Sequence, residues 1–77
     1  PAAAAIYTTP TCPWCHKAKA WLRDKKIRYR EVDVTSDRNG LDEMVKLSGQ
    51  TGVPVIVVGG EVIVGFNQNR LNEIFKE

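Results

Sequence analysis

The sequence predicts an α/β fold: a four-stranded mixed sheet flanked by three helices. Two β-tending stretches are each followed by a stretch of helical periodicity. A Gly-Gly pair then joins two further apolar runs, and a last helical segment follows them. A strand, crossover helix and second strand give a parallel pair, whereas the late hairpin adds antiparallel strands.

The elements follow in chain order. Ala3 to Thr8 is small, apolar and β-tending, ends before the breaker Pro10, and reads as a strand. Pro13 to Lys25 reads as a helix, because Ala18, Ala20, Leu22 and the lysines are good formers. Trp14, Cys15, Ala18, Trp21 and Leu22 fall on one face of it. Arg28 to Val34 is rich in β-branched and aromatic residues and reads as a second strand. A helix over Arg38 to Ser48 follows, capped by Ser36 or Asp37 and stopped by Gly49. Its apolar stripe is Leu41, Met44 and Val45. Val55 to Val58 and Glu61 to Val64 form a hairpin on Gly59-Gly60, the pair a type I′ turn requires. Asn67 caps a final helix that turns Leu71, Ile74 and Phe75 inward.

Composition narrows the function classes. A chain of 77 residues is expected to form a single domain, 1–77, with a small core. No charge block or low-complexity tract argues for disorder. A net charge of +2, with the charges interspersed, points to neither nucleic acid nor membrane as partner. No apolar run approaches the roughly 20 residues of a membrane-spanning helix. The opening PAAAAIYTT lacks a basic n-region, so no signal peptide is expected and the location expected is cytoplasmic.

The two cysteines lie in TPTCPWCHKAKAWL, residues 9 to 22. A disulfide closing so short a loop would stabilise the fold little by chain entropy, so a structural staple is a poor explanation. A dithiol that cycles in the cytosol explains the pair better. With Pro13 at the first helical position, its missing N–H costs nothing and Cys12 becomes the cap. The free N–H groups of Trp14 and Cys15, with the positive end of the helix dipole, then favour the anionic sulfur. That anion is the nucleophile in disulfide exchange. Cys15 lies one turn on, in the inward stripe, and is expected to be the shielded partner that resolves the mixed disulfide. Trp14 offers an apolar surface beside the exposed sulfur.

Other readings of these residues are weaker. A structural zinc site needs about four protein ligands, and Cys12, Cys15 and His16 are the whole soft-ligand supply, so no metal site is expected. His16 reads as an exposed helix residue and Trp21 as core packing.

Three motifs, IYTTPTCPWC at 6–15, TGVPV at 51–55 and VGFNQ at 64–68, resemble those of the glutaredoxin family along nearly the full chain. The resemblance implies a thioredoxin-like fold with strand order 2-1-3-4. It implies a thiol–disulfide oxidoreductase that reduces protein or glutathione mixed disulfides by dithiol exchange through Cys12 and Cys15. No cofactor would be bound, and glutathione would serve as co-substrate. The implied partners are disulfide-containing proteins, with glutathione or thioredoxin reductase as electron donor, and the protein is expected as a monomer. The residue matching Pro54 follows a cis bond facing the sulfurs, which leaves the Val53 backbone free to pair with an extended substrate as a strand would. The implied substrate and glutathione site comprises Thr9, Pro13, Trp14, Gln50, Val53 and Pro54, with Gly65, Phe66 and Asn67 across from them.

Departures from the glutathione-using pattern are equally informative. Such proteins commonly carry a basic residue just before the first cysteine, another before the Val-Pro, and a Gly-Gly-x-Asp-Asp segment. Here Thr9, Gln50 and the run Val64-Gly65-Phe66-Asn67-Gln68 stand in those places. A lost charge-assisted hydrogen bond to a carboxylate is worth about 1.5–3 kcal/mol at most, while amides and the N–H groups opening the last helix remain for the γ-glutamyl end. Gly65-Phe66 also resembles a Ser-Gly-Phe segment of redoxins that serve ribonucleotide reductase and draw electrons from thioredoxin reductase, with Val64 in place of the serine. A reading from a different class is a dimer that carries an iron–sulfur cluster through Cys12 and glutathione, with which Cys15 would compete by forming a disulfide.

Overall fold

The computed structural model describes residues 3–75. Its elements are β1 (Ala3–Thr8), α1 (Pro13–Asp24), β2 (Arg28–Asp33), α2 (Arg38–Ser48), β3 (Val55–Val58), β4 (Glu61–Val64) and α3 (Gln68–Ile74). The sheet order is β2-β1-β3-β4. β1 runs parallel to β2, with Ile6 opposite Glu31, and antiparallel to β3, with Ile6 opposite Ile56. β3 and β4 form the expected hairpin, in which Ile56 faces Ile63. Both turn glycines have positive φ, 54° at Gly59 and 85° at Gly60, as a type I′ turn demands.

Both faces of the sheet are covered, which explains why β1 and β3 read as continuous apolar runs rather than alternating ones. Ala4, Ile6, Ile56, Val58 and Ile63 turn to one face and meet Ala18, Leu22 and Leu71 of α1 and α3. Tyr7, Val32, Val34 and Val55 turn to the other and meet Met44 of α2. Leu22 and Met44 are wholly buried, each contributing about 1.5–3 kcal/mol by removal from water. The Tyr7 hydroxyl crosses from the sheet to α2 and donates to Glu43 Oε1 at 2.5 Å. Burial, and then that carboxylate, push the Tyr7 hydroxyl up to about 12.

Several expectations need correction. Trp14 is 57% exposed and does not join the apolar stripe of α1, whose buried residues are Cys15, Ala18 and Leu22. In α2, Val45 is exposed and Gly40 is buried instead. A Cβ at Gly40 would run into Val32 Cγ1, so the missing side chain sets how closely α2 approaches β2. Of the two caps expected for α2 Asp37 serves, accepting the Gly40 N–H at 2.9 Å, while the Ser36 hydroxyl turns back to the Asp33 carbonyl. α1 ends at Asp24, with Lys25 as its cap. β2 ends at Asp33, although Val34 N still donates to the Thr8 carbonyl at 3.0 Å. Phe75 caps α3 rather than lying within it, and it packs half-buried against Trp21.

Candidate active site

The site is assembled at the ends of β1 and β3. β1 delivers the chain into the turn Thr9–Thr11, and Pro13 opens α1 at its first position. Cys12 is the N-cap, in extended backbone conformation, and its Sγ accepts the Cys15 N–H at 3.1 Å. The Cys12 N–H donates to the Thr9 carbonyl at 3.4 Å, and a ring nitrogen of His16 lies 3.0 Å from the Pro10 carbonyl. The turn before Cys12 is thereby tied to the helix from both sides.

The two cysteines are not equivalent. Cys12 is half-buried and Cys15 is fully buried, and both are free thiols. Burial, and then the neighbouring Cys12 sulfur, push the Cys15 thiol up to about 11, against a lowering from a Thr9 backbone hydrogen bond and a smaller one from Lys19. Lys19 stands four residues after Cys15 on α1, the spacing at which helix side chains are neighbours. Its ammonium is largely shielded and pairs with Glu31 Oε2 at 2.8 Å. The hydroxyl of buried Thr8 donates to the same oxygen at 3.2 Å. The Lys19 hydrogen bond holds the Glu31 carboxyl below its ordinary value. Reading the sequence for motifs misses this group; the Cys15–Lys19 spacing is the signal that could have found it.

Trp14, from the first turn of α1, lines an open groove of about 280 Å³ together with Val53, Pro54, Gly65 and Phe66. The Val53–Pro54 peptide bond is cis. The Pro54 carbonyl accepts the Gly65 N–H at 2.8 Å, which ties the two loops of the groove together. Gly65 holds φ +83°, a conformation that a side chain would strain. Among the described residues no hydrogen bond engages the backbone of Val53. Phe66 meets the edge of Trp21 at 6.4 Å between centroids and also faces the groove, so it serves both core and surface. Lys17 sits over the exposed Trp14 ring at 4.6 Å.

Of the nine residues expected to bind substrate four do not line the groove, and neither cysteine is among its lining residues. Thr9 contributes its carbonyl to the turn, and Pro13 is exposed at the start of α1. Gln50 turns its amide into its own loop, and Asn67 uses its side-chain oxygen to cap α3 through Arg70 N at 3.1 Å. Among the described residues no three of His, Cys, Asp and Glu converge as a metal-holding group. No helix there is long and apolar enough to cross a membrane.

Comparison with known proteins agrees with this geometry. The glutaredoxin family model matches residues 4–63, from the first strand through the last. The chain belongs to the glutaredoxin family. It is 46% identical to the glutaredoxin-like 8.6 kDa protein in the rubredoxin operon of Clostridium pasteurianum, over 94% of this chain and 96% of that protein. It is 42% identical to glutaredoxin 3 of Escherichia coli, over 78% of this chain and 72% of that one. The structure of NrdH-redoxin from Escherichia coli superposes with a TM-score of 0.83 over 97% of each chain, and at 21% identity that likeness speaks for the fold. As a glutaredoxin, the protein has a thioredoxin-like fold and is a thiol–disulfide oxidoreductase.

Proposed function

We propose that this glutaredoxin reduces protein and glutathione mixed disulfides by dithiol exchange, with Cys12 as attacking sulfur and Cys15 as resolving sulfur. The observation that carries the proposal is the unequal environment of the pair. Cys12 receives a helix-end N–H at 3.1 Å at the rim of the fold, while Cys15 is buried and holds its proton. In the first step Cys12 thiolate attacks one sulfur of the substrate disulfide, forming a mixed disulfide and displacing the other sulfur as thiolate, which takes a proton from water. Cys15 then loses its proton and attacks Cys12 Sγ. The bond from Cys12 to substrate breaks, the second substrate thiol leaves, and the Cys12–Cys15 disulfide remains. Two electrons have passed from the protein to the substrate, and an external thiol or reductase must return them.

The groove supplies the binding surface in this reading. Trp14 and Phe66 offer apolar contact, and the unpartnered Val53 backbone offers main-chain pairing to an extended substrate.

For the electron donor we favour a thioredoxin-reductase-type protein over glutathione. Thr9 is neutral, Gln50 is engaged within its loop, and Trp14 presents an exposed apolar face. At positions 9 and 50 glutathione therefore meets dipoles rather than opposite charge, although the Lys17 ammonium stands over the Trp14 ring. Parallel assays decide both matters, with a peptide disulfide as substrate and NADPH oxidation as readout. One arm contains glutathione and glutathione reductase, and the other thioredoxin reductase. Turnover in the second arm above the first is expected. Turnover in neither arm refutes the exchange activity, and tight saturation by glutathione alone refutes the donor assignment.

A further inference from the structure

The loop between α2 and Pro54 is closed by a side chain. Gln50 Oε1 accepts the Gly52 N–H at 2.6 Å, and Gln50 Nε2 donates to the Gly52 carbonyl at 3.1 Å. The same amide nitrogen donates to Ser48 Oγ at 3.1 Å, and Ser48 Oγ donates to the Met44 carbonyl at 2.7 Å. One amide thus pairs with both backbone groups of Gly52, as a neighbouring strand would, and anchors them to the end of α2.

Residue chemistry at both ends of this contact is constrained. A primary amide offers an acceptor and two donors on adjacent atoms at the end of one side chain; Lys and Arg have no acceptor, and an ionised carboxylate has no donor. Opposite it, a Cβ on Gly52 would stand 2.7 Å from Gln50 Oε1, so the Gln50 amide would have to swing away from the contact. Gln50 and Gly52 therefore fit each other, and the residue they hold next in the chain is Val53, at the wall of the groove.

We propose that Gln50 is a positioning residue that sets the Val53 backbone for pairing with an extended peptide disulfide. The substrate class it favours is one recognised through its main chain rather than anchored by a carboxylate. This rests on the exchange activity proposed above and adds to it the reason why position 50 carries an amide.

The test compares wild type with Gln50→Ala, Gly52→Ala and the double variant. Each reduces a peptide–glutathione mixed disulfide and the same compound with the glutathione carboxylates methylated. Each single variant is expected to raise KM about fivefold, with little change in kcat, for both compounds alike. The double variant is expected to match the singles, because both substitutions break one contact. A Gln50→Ala loss that disappears with the methylated compound makes Gln50 a carboxylate contact and overturns the inference, as do losses that multiply in the double variant. Hydrogen exchange of the wild-type Gly52 N–H by NMR gives a readout independent of activity. Protection is expected, and free exchange overturns the inference. Wild type that reduces neither compound would instead refute the exchange activity, while the exchange rate at Gly52 still decides the role of Gln50.

Discussion

The backbone N–H of Cys15 points at the sulfur of Cys12, 3.1 Å away, so the resolving cysteine's own peptide group stabilises the attacking one. The arrangement follows from Pro13. A proline at the first helical position makes Cys12 the cap, and a cap side chain receives the N–H three residues on. The same turn carries Cys15 beneath the surface, so one helix start produces two unlike sulfurs.

Stability of the reduced protein should fall at high pH. Burial raises the Cys15 thiol from 9.0 to about 11 and the Tyr7 hydroxyl from 10.0 to about 12. Both groups hold their protons more tightly in the folded chain, so their contribution is whole below the unfolded values and is lost as pH rises through the folded ones. Denaturant titrations from about pH 8 to pH 12 should show a progressive loss of unfolding free energy. The oxidised protein, whose Cys15 carries no proton, should lack the lower part of that decline.

Lys19→Met should slow the resolving step. The Lys19 charge is a small influence easing ionisation of Cys15, after a backbone hydrogen bond with Thr9, and its ammonium is paired with Glu31. Release of a chromogenic thiol from a preformed Cys12 mixed disulfide, followed by stopped flow near pH 7, should be slower by about threefold at most. The two proteins should converge at a pH above the Cys15 ionisation. Equal rates throughout would show that Lys19 serves only the fold.

Thr9→Lys should raise activity with glutathione. The substitution places a cation three residues before the cap cysteine, within the turn that leads into it, to attract a glutathione carboxylate. A gain of up to about tenfold in kcat/KM is expected, shrinking as salt is added. Steady-state rates at varied glutathione and ionic strength measure it, and a salt-independent gain would point to another cause.

Gly40→Ala should destabilise the fold by about 1–3 kcal/mol through overpacking. The added methyl would strike Val32 Cγ1, and room is short on the Asp37 side as well, at 3.1 Å. In combination with Val32→Ala the cost should be less than the sum of the two singles, because the second change opens the space the first one needs. Chemical denaturation of the four proteins tests this coupling.

Much of the fold was legible because local signals agreed with one another. Gly59-Gly60 marks its turn, Pro13 and Asn67 mark helix starts, and the apolar runs of β1 and β3 mark a sheet covered on both faces. Periodicity failed where tertiary contact decides. Trp14 sits at the right spacing for the core, but it lies in the first turn of α1, exposed, where it lines the groove. Val45 lies outside the buried side of α2, whose buried positions are Gly40, against Val32, and Met44.

At the candidate site, the cap position of Cys12 and the cis bond before Pro54 were anticipated, and both are present. The roles of Thr8, Lys19 and Glu31 were not, since their meeting depends on three separate elements. Nor does any motif reveal that the Gln50 amide is occupied by Gly52, which only the loop's path discloses.

The division of labour between the sulfurs is tested most directly by locating the trapped adduct. Cys12→Ser and Cys15→Ser variants are incubated with a small disulfide near pH 7, and the adduct on each is quantified over time by mass spectrometry of the intact protein. Cys15→Ser should accumulate one stable adduct on Cys12, while Cys12→Ser remains almost unmodified because its remaining sulfur is buried and protonated. Adduct forming on Cys15 as fast as on Cys12 would contradict the assignment.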